Sequence, residues 1–209
     1  LEKDLGFNEN QDFRKNCLKF YKDKTIGRVQ LFYKNYAQKD NALRINGQHA
    51  PLLQELLDQV DWNWLSLGLA GRFHGDFHFE NILYSEDADK FTFLDWRQDF
   101  AGDLIIGDIY YDLAKLMHGL IVNHSIIADD LYGASWKADE INFDLPRKQI
   151  LVECEIKLNT WILENSYDLK KVRVLTALIY LNIAALHHYP YSILLYGLGK
   201  KMLSEEIKI

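Results

Sequence analysis

The segment His74-Gly-Asp-Phe-His-Phe-Glu-Asn-Ile-Leu83 constrains this chain more than any other, because it places Asp76 and Asn81 five positions apart in a polar loop between apolar runs. A short strand at Gly71–Phe73 is expected to lead into the loop. Ile82–Tyr84 and Phe91–Leu94 then read as a hairpin around the polar turn 85–90. The second apolar run ends on another carboxylate, Asp95.

Around that core the pattern is helical. Phe13, Cys17, Phe20 and Tyr21 recur at near-helical spacing within 9–22, and Val29, Leu31, Phe32 and Tyr36 suggest a second helix. Pro51 reads as a first-turn proline opening a helix through about Val60. From Asp108 onward only helices are expected, at about 108–123, 146–165, 168–188 and 190–203. The stretch 172–186 is apolar nearly all round, which marks a central helix buried on most sides. The expected class is α+β, mostly helical, with a small, partly exposed hairpin.

Composition narrows the function classes. The chain has 209 residues, enough for a sizeable core, and its 24 basic against 30 acidic side chains leave a net charge of −6. Nucleic acid is therefore not expected as a partner, since its binding relies on basic patches. The longest apolar stretch, 174–186, is interrupted by Thr176 and Asn182 and is too short for a membrane span. Cys17 and Cys154 lie far apart and read as reduced core thiols of a cytoplasmic protein.

Phosphoryl transfer from ATP needs a carboxylate to orient and deprotonate the attacking hydroxyl, and oxygen ligands to hold Mg2+ against the triphosphate. Asp76, Asn81 and Asp95 are side chains of those kinds. The loop fits H-G-D-x-H-x-x-N-[ILV]-[LIF], the following strand ends in Asp95-Trp96, and Gly107-Asp-Ile-Tyr-Tyr-Asp-Leu-Ala114 fits G-D-x-x-[YF]-D-L-A. On these three ordered motifs the chain resembles the aminoglycoside phosphotransferase and choline kinase family, small-molecule relatives of the protein kinases. The His74, Asp76 and His78 triplet also suits a transition metal, but the other histidines form no second motif to complete such a site.

The resemblance implies the C-terminal lobe of a protein-kinase-like fold over residues 1–209, with a helical lead-in at 1–70, the catalytic loop and metal-binding hairpin at 71–99, and a helical subdomain at 100–209. It implies Asp76 as catalytic base and Asn81 and Asp95 as ligands of Mg2+ and so of the nucleotide. His74 would brace the loop, and His78 would brace it or touch phosphate. Asp108 and Asp112 would tie the loop to the next helix. Trp96, Arg97 and Asp99, with Asp103 beyond them, lie where relatives approach the acceptor.

The activity so implied is ATP- and Mg2+-dependent phosphorylation of a hydroxyl on a small metabolite, such as a choline-like amino alcohol, a sugar or an aminoglycoside, with a weaker analogy to bacterial surface-polysaccharide pathways. The carboxylates after Asp95, with Trp96, point to a cationic or neutral acceptor. Gly6, Gly27, Gly47, Gly68 and Gly71 form no glycine-rich loop, and the chain opens on Leu1. The phosphate-covering N-terminal lobe is thus expected to be missing and supplied by an upstream domain of the same protein. A catalytically incomplete kinase-like binding or regulatory module is the rival reading.

Overall fold

The computed structural model describes residues 7–36 and 39–207, so Leu1 and Gly6 lie outside the described residues. Helix α1 (Phe7–Leu18) does not stop where its apolar spacing breaks. It passes through one π-helical turn (Lys19–Asp23) into α2 (Lys24–Asn35), and the backbone stays right-handed helical at both junctions. No proline interrupts this path, and the wider turn buries both Phe20 and Tyr21. The two expected helices are therefore one continuous rod.

Two short hairpins depart from the expected helical lead-in and helical subdomain. Strands β1 (Arg44–Ile45) and β2 (Gln48–His49) pair about Asn46 and Gly47, whose φ values of 48° and 77° are those of a two-residue turn that Asn-Gly favours. Farther along, β7 (Gly133–Lys137) and β8 (Glu140–Asp144) form a second hairpin, and β8 runs parallel to β1 to complete a four-stranded sheet in the order β2-β1-β8-β7. The register puts Ala134 opposite Phe143 and Trp136 opposite Ile141, an alternation that gives the sheet an apolar face. That face packs on the C-terminal helix, so the expectation of helix alone after Asp108 is corrected here.

The remaining elements are α3 (Leu53–Gln59), α4 (Trp62–Leu65), β3 (Ala70–Gly71), β4 (Ile82–Ser85), β5 (Lys90–Phe93), β6 (Gly107–Asp108), α5 (Ile109–Ile121), α6 (His124–Ala128), α7 (Gln149–Glu164), α8 (Leu169–Ala184) and α9 (Tyr191–Glu206). Helix α8 is the central helix that its sequence suggested, with Val174 through Asn182 all buried among α2, α5 and α9. Helix α9 comes close because residue 199 is glycine. A Cβ there would sit 2.9 Å from Ala177 O and from Leu181 Cγ of α8. Cys17 is buried, whereas Cys154 on α7 is only half-buried rather than a core thiol. Among the described residues no helix is long and apolar enough to cross a membrane.

Strand β3 pairs antiparallel with β6, so residues 72–106 form an excursion that leaves and returns through one two-stranded clamp. The hairpin β4–β5 lies inside the excursion and is largely exposed. Beneath it, Phe100 is fully buried, with ring centroids of Phe20, Phe73 and Phe13 at 4.5, 5.4 and 6.1 Å. This aromatic cluster fastens the excursion to α1 and the π-helical turn.

A buried cation ties the lead-in to the last helix. Lys200 of α9 is 0% exposed and donates to both carboxylate oxygens of Asp40 at 2.9 Å and to Ala42 O at 2.6 Å, while Asp40 also accepts from Leu53 N at the start of α3. Removing one partner leaves the other charge buried. Lys200→Met is expected to destabilise the fold by about 3–5 kcal/mol, and the double variant with Asp40→Asn by less. Chemical denaturation of both variants checks this, and a double variant that loses as much as Lys200→Met or more would show that the unpaired Asp40 charge is not what the single change costs.

Candidate active site

Two carboxylates at the start of α5 hold the excursion in place. Asp108, fully buried, caps α5 by accepting from Tyr110 N at 3.0 Å and also accepts from Leu69 N at 2.8 Å and Tyr21 Oη at 2.6 Å. Burial raises its pKa, and those three hydrogen bonds oppose the rise. One turn on, Asp112 accepts from His74 N at 2.6 Å and Gly75 N at 2.7 Å, with burial pushing its pKa up to about 6 against those bonds. Asp112 therefore ties the loop to the helix, as expected of it, whereas Asp108 ties the helix to Leu69 before β3 and to Tyr21.

Residue 75 has to be glycine twice over. Its φ is +80°, and a Cβ would collide with the Cβ of Arg97 and the ring of Phe73. Arg97 N in turn donates to His74 O at 2.8 Å, so the loop and the segment after β5 run side by side. His74 is buried beside Trp96, with centroids 4.9 Å apart, and its Nδ1 accepts from Asp76 N at 3.3 Å. Burial lowers its pKa and favours the neutral ring.

Asp76 is half-exposed and central to a polar group. Lys115 Nζ of α5 lies 2.6 Å from its Oδ1 and His78 Nε2 lies 3.3 Å from its Oδ2. Partial burial would raise the Asp76 pKa, but the Lys115 ammonium, followed by His78, outweighs it and holds the carboxyl below its usual range. Asn81 Nδ2 donates to Asp76 O at 3.0 Å and lies 3.2 Å from His78 Nε2. His78 Nδ1 meets Glu80 Oε2 at 2.7 Å, so its Nε2 accepts from Asn81 when neutral and donates to Asp76 when protonated.

A cavity of about 470 Å³ opens on this group. Asp76, Asp95, Arg97 and Asp99 line it, together with Lys115. His74, His78 and Asn81 stand behind Asp76 rather than on the cavity wall. Trp96, expected near the acceptor, is turned away. Its Nε1 donates to Phe93 O at 3.2 Å, and Arg72 covers its ring at 5.4 Å. The other expected acceptor carboxylates are engaged by the backbone: Asp99 accepts from Gly102 N at 2.7 Å, Asp103 from Ile105 N and Ile106 N at 2.9 and 3.0 Å, and Asp108 is buried. Of the carboxylates that pointed to a cationic or neutral acceptor, Asp99 alone therefore lines the cavity.

Asp95 has φ +52°, a left-handed conformation uncommon outside glycine, and its carboxylate makes no hydrogen bond or ion pair among the described residues. The Asn81 side-chain oxygen Oδ1 likewise accepts nothing there, since only Nδ2 of that side chain is engaged. No group of three His, Cys, Asp or Glu side chains able to hold a metal occurs among the described residues. A carboxylate and an amide oxygen nonetheless fit Mg2+, which takes one or two protein oxygens and completes its shell with phosphate and water.

The cavity residues missed in the sequence include four that carry charge or an amide from the helices: Lys24 and Arg28 on α2, Lys115 on α5, and Asn182 on α8. Lys115 had a signal, because it falls three residues after Asp112 and seven after Asp108, on the same helical stripe. The other three had none, as their helices come to the cavity only through tertiary packing.

Residues 21–149, more than half of the chain, match the family model described as "Phosphotransferase enzyme family", and the chain belongs to that family. The match ends where α7 begins. No curated protein matches the chain, and no solved structure does.

Asp112→Ala removes the only acceptor that the amides of His74 and Gly75 have among the described residues, leaving two partly buried donors unsatisfied. A stability loss of about 1–3 kcal/mol is expected, with faster hydrogen exchange at those two amides. Unchanged exchange at both would show that the loop is held by other means.

Proposed function

We propose that this protein transfers the γ-phosphoryl group of ATP to a hydroxyl of a small metabolite, with Mg2+, in the cytoplasm. The reading takes the chain as the C-terminal lobe of a protein-kinase-like fold, with the β4–β5 hairpin carrying Asn81 and Asp95 at its base, and with a separate lobe of the same protein covering the phosphates. Its main support is the convergence of Asp76, with Lys115 against it, and the unpaired Asp95 on one cavity, in a chain of the phosphotransferase family.

In this reading the acceptor hydroxyl sits at Asp76. The carboxylate orients it and takes its proton as the oxygen bonds to the γ-phosphorus, and the bond from that phosphorus to the ADP oxygen breaks. Asn81 and Asp95 would hold Mg2+, which neutralises charge on the phosphate oxygens. His78 and Asn81 keep Asp76 in place through the contacts at 3.3 and 3.0 Å. Lys115 keeps it ionised.

Asp76→Asn in the intact protein is expected to lower kcat by about a hundredfold or more with little change in nucleotide affinity, because the group acts on the reacting hydroxyl. Asp95→Ala is expected to abolish Mg2+-dependent nucleotide binding, and Asn81→Ala to weaken it less. Steady-state kinetics and calorimetry with and without Mg2+ decide both. Near-normal turnover in Asp76→Asn would remove the proposed base, and unchanged Mg·ATP affinity in Asp95→Ala would move the metal elsewhere.

A further inference from the structure

Four cations line the cavity against three carboxylates, although the chain as a whole is acidic. Lys115 is matched by Asp76 at 2.6 Å, and Asp99 is engaged at Gly102 N. Under the reading proposed above, Asp95 serves the metal. Lys24, Arg28 and Arg97 then remain, and none of them forms an ion pair among the described residues.

These cations are held close together rather than scattered. Lys24 and Arg28 are one turn apart on α2, and the Lys24 ammonium sits 4.1 Å from the centroid of Phe20. The Arg97 guanidinium lies 5.1 Å from the same ring. Burial lowers the Lys24 pKa to about 8, with Arg97, Arg28 and Lys115 adding to the effect and Asp76 opposing it. Like charges gathered at a partly dry site cost stability unless an anion joins them.

An independent observation comes from the opposite wall. Asn182 of α8 lines the same cavity, is 8% exposed, and its Oδ1 has no hydrogen-bond partner. A buried amide oxygen left unsatisfied is uncommon, and a ligand that brings a hydroxyl to donate to it would complete it.

We propose that Lys24, Arg28 and Arg97 clamp a phosphate or carboxylate carried by the phosphoryl acceptor while Asn182 Oδ1 accepts from one of its hydroxyls, so that the substrate is an acidic hydroxyl compound such as a sugar phosphate or a hydroxy acid. The inference rests on the proposed function for the direction of transfer, but the anion site can be measured without it. The acceptor side is favoured over the nucleotide because these cations line the same cavity as Asp76, where the acceptor hydroxyl lies in that reading. Arginine suits the task, since its planar fork matches carboxylate and phosphate oxygens.

The test is calorimetric titration of the protein, without nucleotide or Mg2+, with glycerol 3-phosphate, glycerate, glycerol and choline. Glycerol 3-phosphate or glycerate is expected to bind, glycerol and choline to bind far more weakly, and Arg28→Gln and Lys24→Gln each to weaken the anion about tenfold or more. Both sites are half-buried on α2 and glutamine keeps most of the stem, so two independent variants report. Anion binding that survives both variants, or a preference for choline, overturns the proposal. So does loss of Mg·ATP affinity by the same factor in both variants, which would give the cations to the nucleotide. Transfer to neutral or cationic hydroxyls with no dependence on Arg28 would leave the phosphotransferase reading standing and remove this one. Anion binding without any transfer from ATP in the intact protein would do the reverse.

Discussion

The site depends on a carboxylate that never meets a substrate. Asp112 reaches back from the first turns of α5 to the amides of His74 and Gly75 and so fixes the backbone on which Asp76 stands. A charged acceptor shared by two amides is stronger than a neutral one, and it fixes both direction and register. Asp108 does the same for the β3 side, through Leu69 N, and joins the excursion to Tyr21 in the π-helical turn. Burial raises the pKa of both groups, so their hydrogen bonds are made at a cost in desolvation that only a rigid surround offsets.

That surround is aromatic and helical. Phe100 anchors the returning segment among Phe13, Phe20 and Phe73, while α8 supplies the broad apolar floor. The continuous rod of α1 and α2 matters for the cavity as well as for the core. Its π-helical turn adds width just before Lys24, and Phe20 in that turn carries both Lys24 and Arg97 against its ring. The cations are therefore positioned by the packing that closes the core.

What the sequence revealed follows the range of the forces involved. The excursion was legible because its signals are local: the hairpin by two apolar runs about a polar turn, Asp95 by its place at the end of the second run, and Asp108 and Asp112 through the motif by which the chain resembles its family. Helix α8 was legible from unbroken apolarity. The four-stranded sheet was not, because β8 pairs with β1 across about a hundred residues, as Arg44 opposite Glu140 illustrates, and short strands leave little periodicity to read. Yet Asn46-Gly47 was a turn signal in plain sight, with the alternation of Ala134, Trp136, Ile141 and Phe143 beside it. The acidic residues after Asp95 misled in another way. Composition suggested a field that would attract a cation, whereas Asp99, Asp103 and Asp108 accept hydrogen bonds from backbone amides, and beside Asp95 the charges that face the cavity unpaired are the cations of α2 and Arg97.

The pairing of Lys115 with Asp76 carries a consequence for the proposed chemistry. An ammonium 2.6 Å from a carboxylate makes it a weaker base. That would be a handicap for a reaction limited by proton removal. Phosphoryl transfer through a loose transition state asks little of the base, because the attacking oxygen gains only slight bonding before the leaving group departs. What it needs is a fixed acceptor oxygen and compensated charge. Lys115 supplies the second requirement while helping Asp76 with the first, since an ionised, anchored carboxylate orients a hydroxyl more rigidly than a free one. The same ammonium adds to the positive field that lowers the pKa of Lys24, so the device that restrains the base is linked electrostatically to the cations of the cavity.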